Sequence, residues 1–146
     1  MVDVGAKPET HRRAVASGRV HMRPETALRI LRNEAPKGEV LATARLAGIM
    51  AAKRTPELIP LCHTVRVSSV VVDIDLDATK GQALVTAIVD AFDRTGVEME
   101  ALTAASVACL TLYDMLKGVD RDMVVTDLKL VEKSGGRTGD YRRKEP

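Results

Sequence analysis

Thirteen consecutive uncharged residues, Ala101–Tyr113, constrain this chain more than any other passage. The surrounding pattern predicts one long helix from Gly96 to about Lys117. A helix that is apolar on most sides has to be buried on most sides. Thr95-Gly96-Val97-Glu98 has the S/T-x-x-E spacing of a capping box, which places the start of the helix. The uncharged run is far short of the roughly 20 apolar residues that span a bilayer and contains Thr and Ser, so it reads as a core helix and no membrane segment is expected.

The strands that would cover such a helix come from alternation. From Val70 onward, Val72, Ile74 and Leu76 share one face while Asp73, Asp75 and Asp77 share the other, the pattern of a half-exposed strand. Ala78–Gly81 reads as a turn, and Ala83–Phe92 pairs back as the second arm of a hairpin. Upstream, Ser17–Met22 is a weak strand, and Pro24 opens a helix through Arg32 with Ala27, Leu28 and Leu31 on one side. Pro36-Lys37-Gly38 breaks it. Glu39–Arg54 forms a second helix with basic residues in its last turn, and Thr55-Pro56 stops it, which leaves Pro56–His63 as loop. Met123–Glu132 is the last strand. The order predicts an α+β fold, the ferredoxin-like β-α-β-β-α-β plait, with an extra helix in the first crossover and an antiparallel sheet carrying its helices on one face. No repeat or linker divides the chain, so a single domain over residues 1–146 is expected, with a Gly-rich basic tail over about 134–146.

Composition removes several function classes. Aromatic residues are 2% of the chain and the formal net charge is only +2. A binder of single-stranded nucleic acid needs stacking platforms as well as positive charge, so no nucleic-acid partner is expected. Cys62 and Cys109 form no paired motif, and MVDVGAK lacks the layout of a signal peptide, which together suit a reducing cytoplasm. A zinc site is not expected either: Cys62 and His63 are adjacent, while His11, His21 and Cys109 have no ligand spacing around them.

Several charged residues sit where structure alone does not require them. At about 100° per residue, Met99, Glu100, Thr103, Val107, Leu110, Asp114 and Lys117 share one arc of the long helix, so polar groups line a face that otherwise reads as core. The bland explanation of Asp114 and Lys117 is a surface ion pair at i,i+3. Lys37 precedes a helix start, where free backbone N–H groups attract anions, and a solvated turn lysine is its ordinary alternative. Lys133-Ser134-Gly135-Gly136-Arg137 either folds backbone N–H groups and cations around phosphate oxygens or is a disordered end. His63 is suited to proton transfer near neutral pH, though a structural histidine is commoner.

Four segments together are distinctive: MVDVGAK, Lys37–His63 (KGEVLATARLAGIMAAKRTPELIPLCH), Asp93–Lys117 (DRTGVEMEALTAASVACLTLYDMLK) and Glu132–Asp140 (EKSGGRTGD). Over nearly its whole length the chain resembles the cyclic pyranopterin monophosphate synthases, the molybdenum cofactor biosynthesis protein C family. One departure is Thr64, where many members carry proline after the histidine; no functional group is lost. The resemblance implies conversion of the 3′,8-cyclised dihydro derivative of GTP to cyclic pyranopterin monophosphate with release of diphosphate. That reaction needs no redox cofactor. It opens and recloses a ring with several proton transfers, then displaces diphosphate from the α-phosphorus by a sugar-derived hydroxyl.

The resemblance also implies roles. Asp114 matches the catalytic aspartate and Lys117 an active-site lysine, and the pair can move protons if burial lowers the lysine pKa. Lys37, Lys133 and Arg12 match positions around the substrate phosphates. Leu61, Cys62, His63, Met99 and Glu100 match substrate-contacting positions. Lys37 is counted with Asp114 and Lys117 among the catalytic residues. No resident cofactor is expected, Mg²⁺ entering only with the triphosphate. The expected partners are that nucleotide and further copies of the chain, in a homohexamer built as a trimer of dimers with shared sites. A non-catalytic nucleotide-binding domain of the same fold, or a purely structural assembly subunit, are the alternatives.

Overall fold

The computed structural model describes residues 1–145. Nine elements follow in order: β1 (Thr10–His21), α1 (Pro24–Leu31), α2 (Val40–Lys53), α3 (Thr55–Leu58), β2 (Val67–Asp77), β3 (Gln82–Asp93), α4 (Glu98–Leu116), β4 (Val124–Ser134) and β5 (Tyr141–Arg142). The strands form one antiparallel sheet in the order β2-β3-β1-β4-β5. Leaving β5 aside, β1 and β3 are the inner pair, the split arrangement of a ferredoxin-like plait. The α+β expectation therefore holds, with α2 and α4 as the two helices on the sheet and the short α1 as the extra helix of the first crossover.

The core is built from small side chains, which is how a chain with almost no aromatics packs tightly. Along β3, Ala83, Val85, Ala87, Val89 and Ala91 are fully buried, facing Ala101, Ala104, Ala105 and Ala108 of α4. α4 lies across β1, β3 and β4, and α2 lies beside it over β2. Gly48 permits that closeness, since a Cβ there would stand 3.0 Å from both the Ala104 carbonyl and the Val72 side chain. By length and composition α4 is apolar enough to cross a membrane, but its apolar surface is engaged by the sheet and by α2.

Four details differ from the sequence expectation. β1 begins at Thr10, seven residues before Ser17, because His11-Arg12-Arg13 mask the alternation of a strand that is paired on both sides. The span Pro56–His63 is not all loop, since Thr55–Leu58 makes one helical turn. Thr95 does not cap α4: the N-cap residue is Val97, with no side-chain cap bond. The tail after Ser134 turns back, and Tyr141 and Arg142 pair with Lys133 and Glu132 at the sheet edge.

Candidate active site

Polar groups gather at the two ends of α4. At its C-terminal end, Asp114 takes Lys37 Nζ on Oδ2 at 2.9 Å and Lys117 Nζ on Oδ1 at 3.0 Å. Lys117 is the C-cap residue of α4, and Lys37 comes from the turn that precedes α2. The hydrogen bond from Lys37, followed by that from Lys117, holds the Asp114 carboxyl below its ordinary range. The three side chains are each about half exposed, with side-chain values of 49%, 52% and 53% for Lys37, Asp114 and Lys117. The expected burial of Asp114 and Lys117 is thus corrected. The arc containing them is buried at Glu100 and Thr103 but exposed at Leu110, Asp114 and Lys117, while the opposite side of the same turns, Leu112, Met115 and Leu116, stays buried.

At the N-terminal end of α4 lies a groove with two connected parts. Its apolar part is a cleft of about 460 Å³ walled by Val2, Val4, Ile59, Leu61, Cys62, His63 and Met99. Its basic part, about 230 Å³, is lined by Lys7, Arg12, Lys133 and Arg137 together with Thr138. Lys7, Thr95, Gly96 and Glu98 border both. Arg12 is 9% exposed and points inward from β1, donating to the Asp93 and Arg94 carbonyls at 3.4 and 3.1 Å. Gly135 and Gly136 have φ of 92° and 86°, and a Cβ at Gly136 would collide with the Arg12 guanidinium. The double glycine therefore seats the tail directly against this cation.

Three carboxylates shape the electrostatics here. Glu98 accepts from Lys133 Nζ at 2.8 Å. Burial pushes Glu98 up, but the Lys133 hydrogen bond, its own backbone N–H and the nearby Arg12 outweigh this and hold it below its usual range. Asp93 is lowered too: burial acts upward, and backbone N–H groups of Arg66 and Arg94 overcome it. Glu100 behaves oppositely. It is 1% exposed, and neither carboxyl oxygen has a hydrogen-bond partner among the described residues. Burial, reinforced by Glu98 and Asp93, pushes it up to about 7. Burial and the charges of Glu100 and Glu98 also raise the Cys62 thiol, which disfavours a thiolate nucleophile at that position.

Arg12 and Lys133 are therefore brought together with Leu61, Cys62, His63 and Met99, and Glu100 is buried one residue beyond Met99. Lys37, Asp114 and Lys117 are not. Glu100 and Asp114 are 14 positions apart on one helix, about 21 Å at 1.5 Å per residue. Lys37 thus does not join Arg12 and Lys133 within one chain. Lys7 and Glu98 are groove residues that the sequence did not single out. Glu98 matched a capping box, so its charge was already accounted for, and Lys7 carried no local signal beyond its place in MVDVGAK.

The MoaC family model matches residues 1–136. The chain is 58% identical over 141 residues to the cyclic pyranopterin monophosphate synthase of Roseiflexus sp. (strain RS-1), covering 97% of this chain and 89% of the relative. The protein of the same name from Brucella ovis is 56% identical over 146 residues, covering 100% and 88%. That from Thermomicrobium roseum is 57% identical over 145 residues, covering 99% and 87%.

Proposed function

The chain belongs to the MoaC family, and from that premise we propose that its active site combines the groove of one copy with the Lys37, Asp114 and Lys117 cluster of another. The activity is that of a cyclic pyranopterin monophosphate synthase in molybdenum cofactor biosynthesis. It is a lyase that converts the 3′,8-cyclised dihydroguanosine triphosphate to cyclic pyranopterin monophosphate and releases diphosphate.

The observation that carries the shared site is the separation along α4. The groove has a cleft for a flat ring and cations for phosphates, while the clearest proton-transfer group stands about 21 Å away. A two-fold contact can lay the end of α4 from one copy beside the start of α4 from another, because an isologous interface pairs the same patch from both partners. The chain then assembles as a homohexamer, a trimer of such dimers.

In this arrangement the cleft takes the ring system. Glu100, neutral or singly charged near pH 7, offers its two unpartnered oxygens to polar N–H groups of that ring. Lys7, Arg12, Lys133 and Arg137 hold the triphosphate. Asp114, kept ionised by its two lysines, accepts protons during ring opening and closure, and the lysines return them once the groove of the other copy covers the cluster. In the last step the sugar hydroxyl oxygen bonds to the α-phosphorus and gives up its proton to the Asp114 carboxylate. The bond from that phosphorus to the bridging oxygen breaks, and diphosphate leaves with its charge matched by the groove cations. Any Mg²⁺ would come with the triphosphate as part of the substrate, and the proposed chemistry calls for no resident cofactor. The free thiols of Cys62 and Cys109 support a cytoplasmic setting.

The test is to unfold and reassemble equal amounts of two inactive variants, Glu100→Gln and Lys117→Ala. If sites are shared, a mixed dimer carries one doubly altered site and one intact site. Random pairing makes about half the dimers mixed, so roughly a quarter of wild-type activity returns. Verified mixing with no recovered turnover would rule the shared site out.

A further inference from the structure

Asp120 is 4% exposed, yet it lies outside both polar groups described above. A buried carboxylate is strongly disfavoured unless hydrogen bonds satisfy it. Its Oδ2 accepts from the Arg23 backbone N–H at 2.9 Å and from the Thr26 hydroxyl at 2.9 Å, with the Arg23 guanidinium 3.7 Å away. Thr26 is itself 2% exposed. Arg23 is the N-cap residue of α1 and makes no side-chain cap bond of its own, and Asp120 ties down the start of α1 through the N-cap N–H and the Thr26 hydroxyl.

The other side of this contact is the end of α4. Val119 and Asp120 both donate their N–H to the Leu116 carbonyl, at 2.9 and 3.0 Å, and Lys117 N–H donates to Tyr113 at 2.8 Å. The Tyr113 hydroxyl donates to the Arg121 carbonyl at 3.1 Å, and the Arg23 guanidinium donates to the Val119 carbonyl. Residues 116–121 are thus laced into one turn whose single carboxylate anchor is on α1. α1 buries Ala27 and Ile30 in the core, Asp120 holds its first turn, and the chain leaving it reaches Lys37 six residues later.

We propose that Asp120 is a positioning residue: by tying the last turn of α4 to the start of α1, it sets Lys117 and Lys37 on either side of Asp114. It touches no reacting atom, and the proposal rests on the reading of those three residues as the proton-transfer group. The charged group facing Asp120 is Arg23, with the Asp122 backbone N–H and the Thr26 hydroxyl as its uncharged donors; those facing Asp114 are Lys37 and Lys117.

The experiment follows the Asp114 carboxyl carbon by NMR titration, with steady-state turnover alongside, in full-length Asp120→Ala, Thr26→Val and a control, Val89→Ala. Val89 is fully buried on β3 beneath α4 and is not a partner of Asp120, so its truncation lowers stability without removing a bond that Asp120 makes. In Asp120→Ala the Asp114 midpoint rises toward the ordinary carboxyl value as the lysines lose register, and kcat falls about tenfold while KM stays within about twofold. Thr26→Val moves both in the same direction by less. Val89→Ala lowers Tm and moves neither. Should Asp120→Ala fail to fold, Thr26→Val decides. A folded variant at Asp120 or Thr26 in which Asp114 titrates as in wild type overturns the proposal. An Asp114 midpoint that moves without any change in turnover supports the positioning and refutes the proton-transfer role of the cluster.

Discussion

Lys37 and Asp114 are 77 residues apart in sequence and meet at 2.9 Å, on the opposite oxygen from Lys117. At about half exposure such contacts add little to folding, so their worth lies in the ionisation they impose. The folded carboxyl titrates below its unfolded value. Its small stabilising effect is therefore present above the unfolded pKa and lost as pH falls through the folded one. Asp114→Asn should cut turnover by at least about 100-fold with the fold retained, measured as cyclic product formed per site.

Glu100 predicts the opposite pH behaviour. Its folded pKa, about 7, lies above the ordinary glutamate value of 4.5, so the native state binds the extra proton between those limits. Stability then falls as pH rises through that window. Glu100→Gln should remove this dependence. By denaturant melts of the ligand-free protein it should match wild type near pH 4 and exceed it at pH 8 by up to about 3 kcal/mol, the equivalent of the shift at 1.36 kcal/mol per unit. A variant no more stable at pH 8 would mean that the carboxyl is not strained by burial.

Glu98 occupies Lys133 in the ligand-free protein, at 2.8 Å. An incoming phosphate must share or displace that partner. Glu98→Gln should tighten diphosphate binding, whereas Lys133→Ala should weaken it and flatten its dependence on salt, since free charges are screened over about 8 to 10 Å at physiological ionic strength. Calorimetric titration at two salt concentrations separates the two signs. Equal affinities across the three proteins would remove both residues from the phosphate path.

Gly136, at φ 86°, leaves no room for a side chain beside the Arg12 guanidinium. Gly136→Ala should displace Arg12 or the tail, at a backbone cost of roughly 1 kcal/mol or more, and weaken triphosphate binding more than overall stability. Parallel binding and melting curves test this. A loss of Tm with unchanged affinity would make the glycine a folding residue only.

Much of the sheet and both long helices are legible in the sequence because each obeys one period. Val72, Ile74 and Leu76 alternate with aspartates, and Ala101–Tyr113 carries no charge. β1 is harder to see, since Arg12 is a charged residue facing the helices and only pairing on both sides accounts for it. The site residues are legible mainly through the family resemblance, and of their grouping only the local pair Asp114 and Lys117 is legible from spacing. Periodicity put Glu100 and Asp114 on one arc, which is correct as geometry, but it carries no information on where the neighbouring helix and sheet stop covering that arc. Lys7 and Glu98 join the groove through contacts with residues distant in the chain, which no local pattern records.

The straight run of α4 between the groove and the Asp114 cluster has a consequence for how this chain can change over time. Inserting or deleting one residue anywhere between Glu100 and Asp114 would turn one end against the other by about 100° and move it about 1.5 Å. Every side chain could be kept and the two halves of the chemistry would still fall out of phase. On the proposed shared site the number of residues in this helix is constrained in its own right, and relatives should differ there by substitution while length variation falls in the turns and the tail.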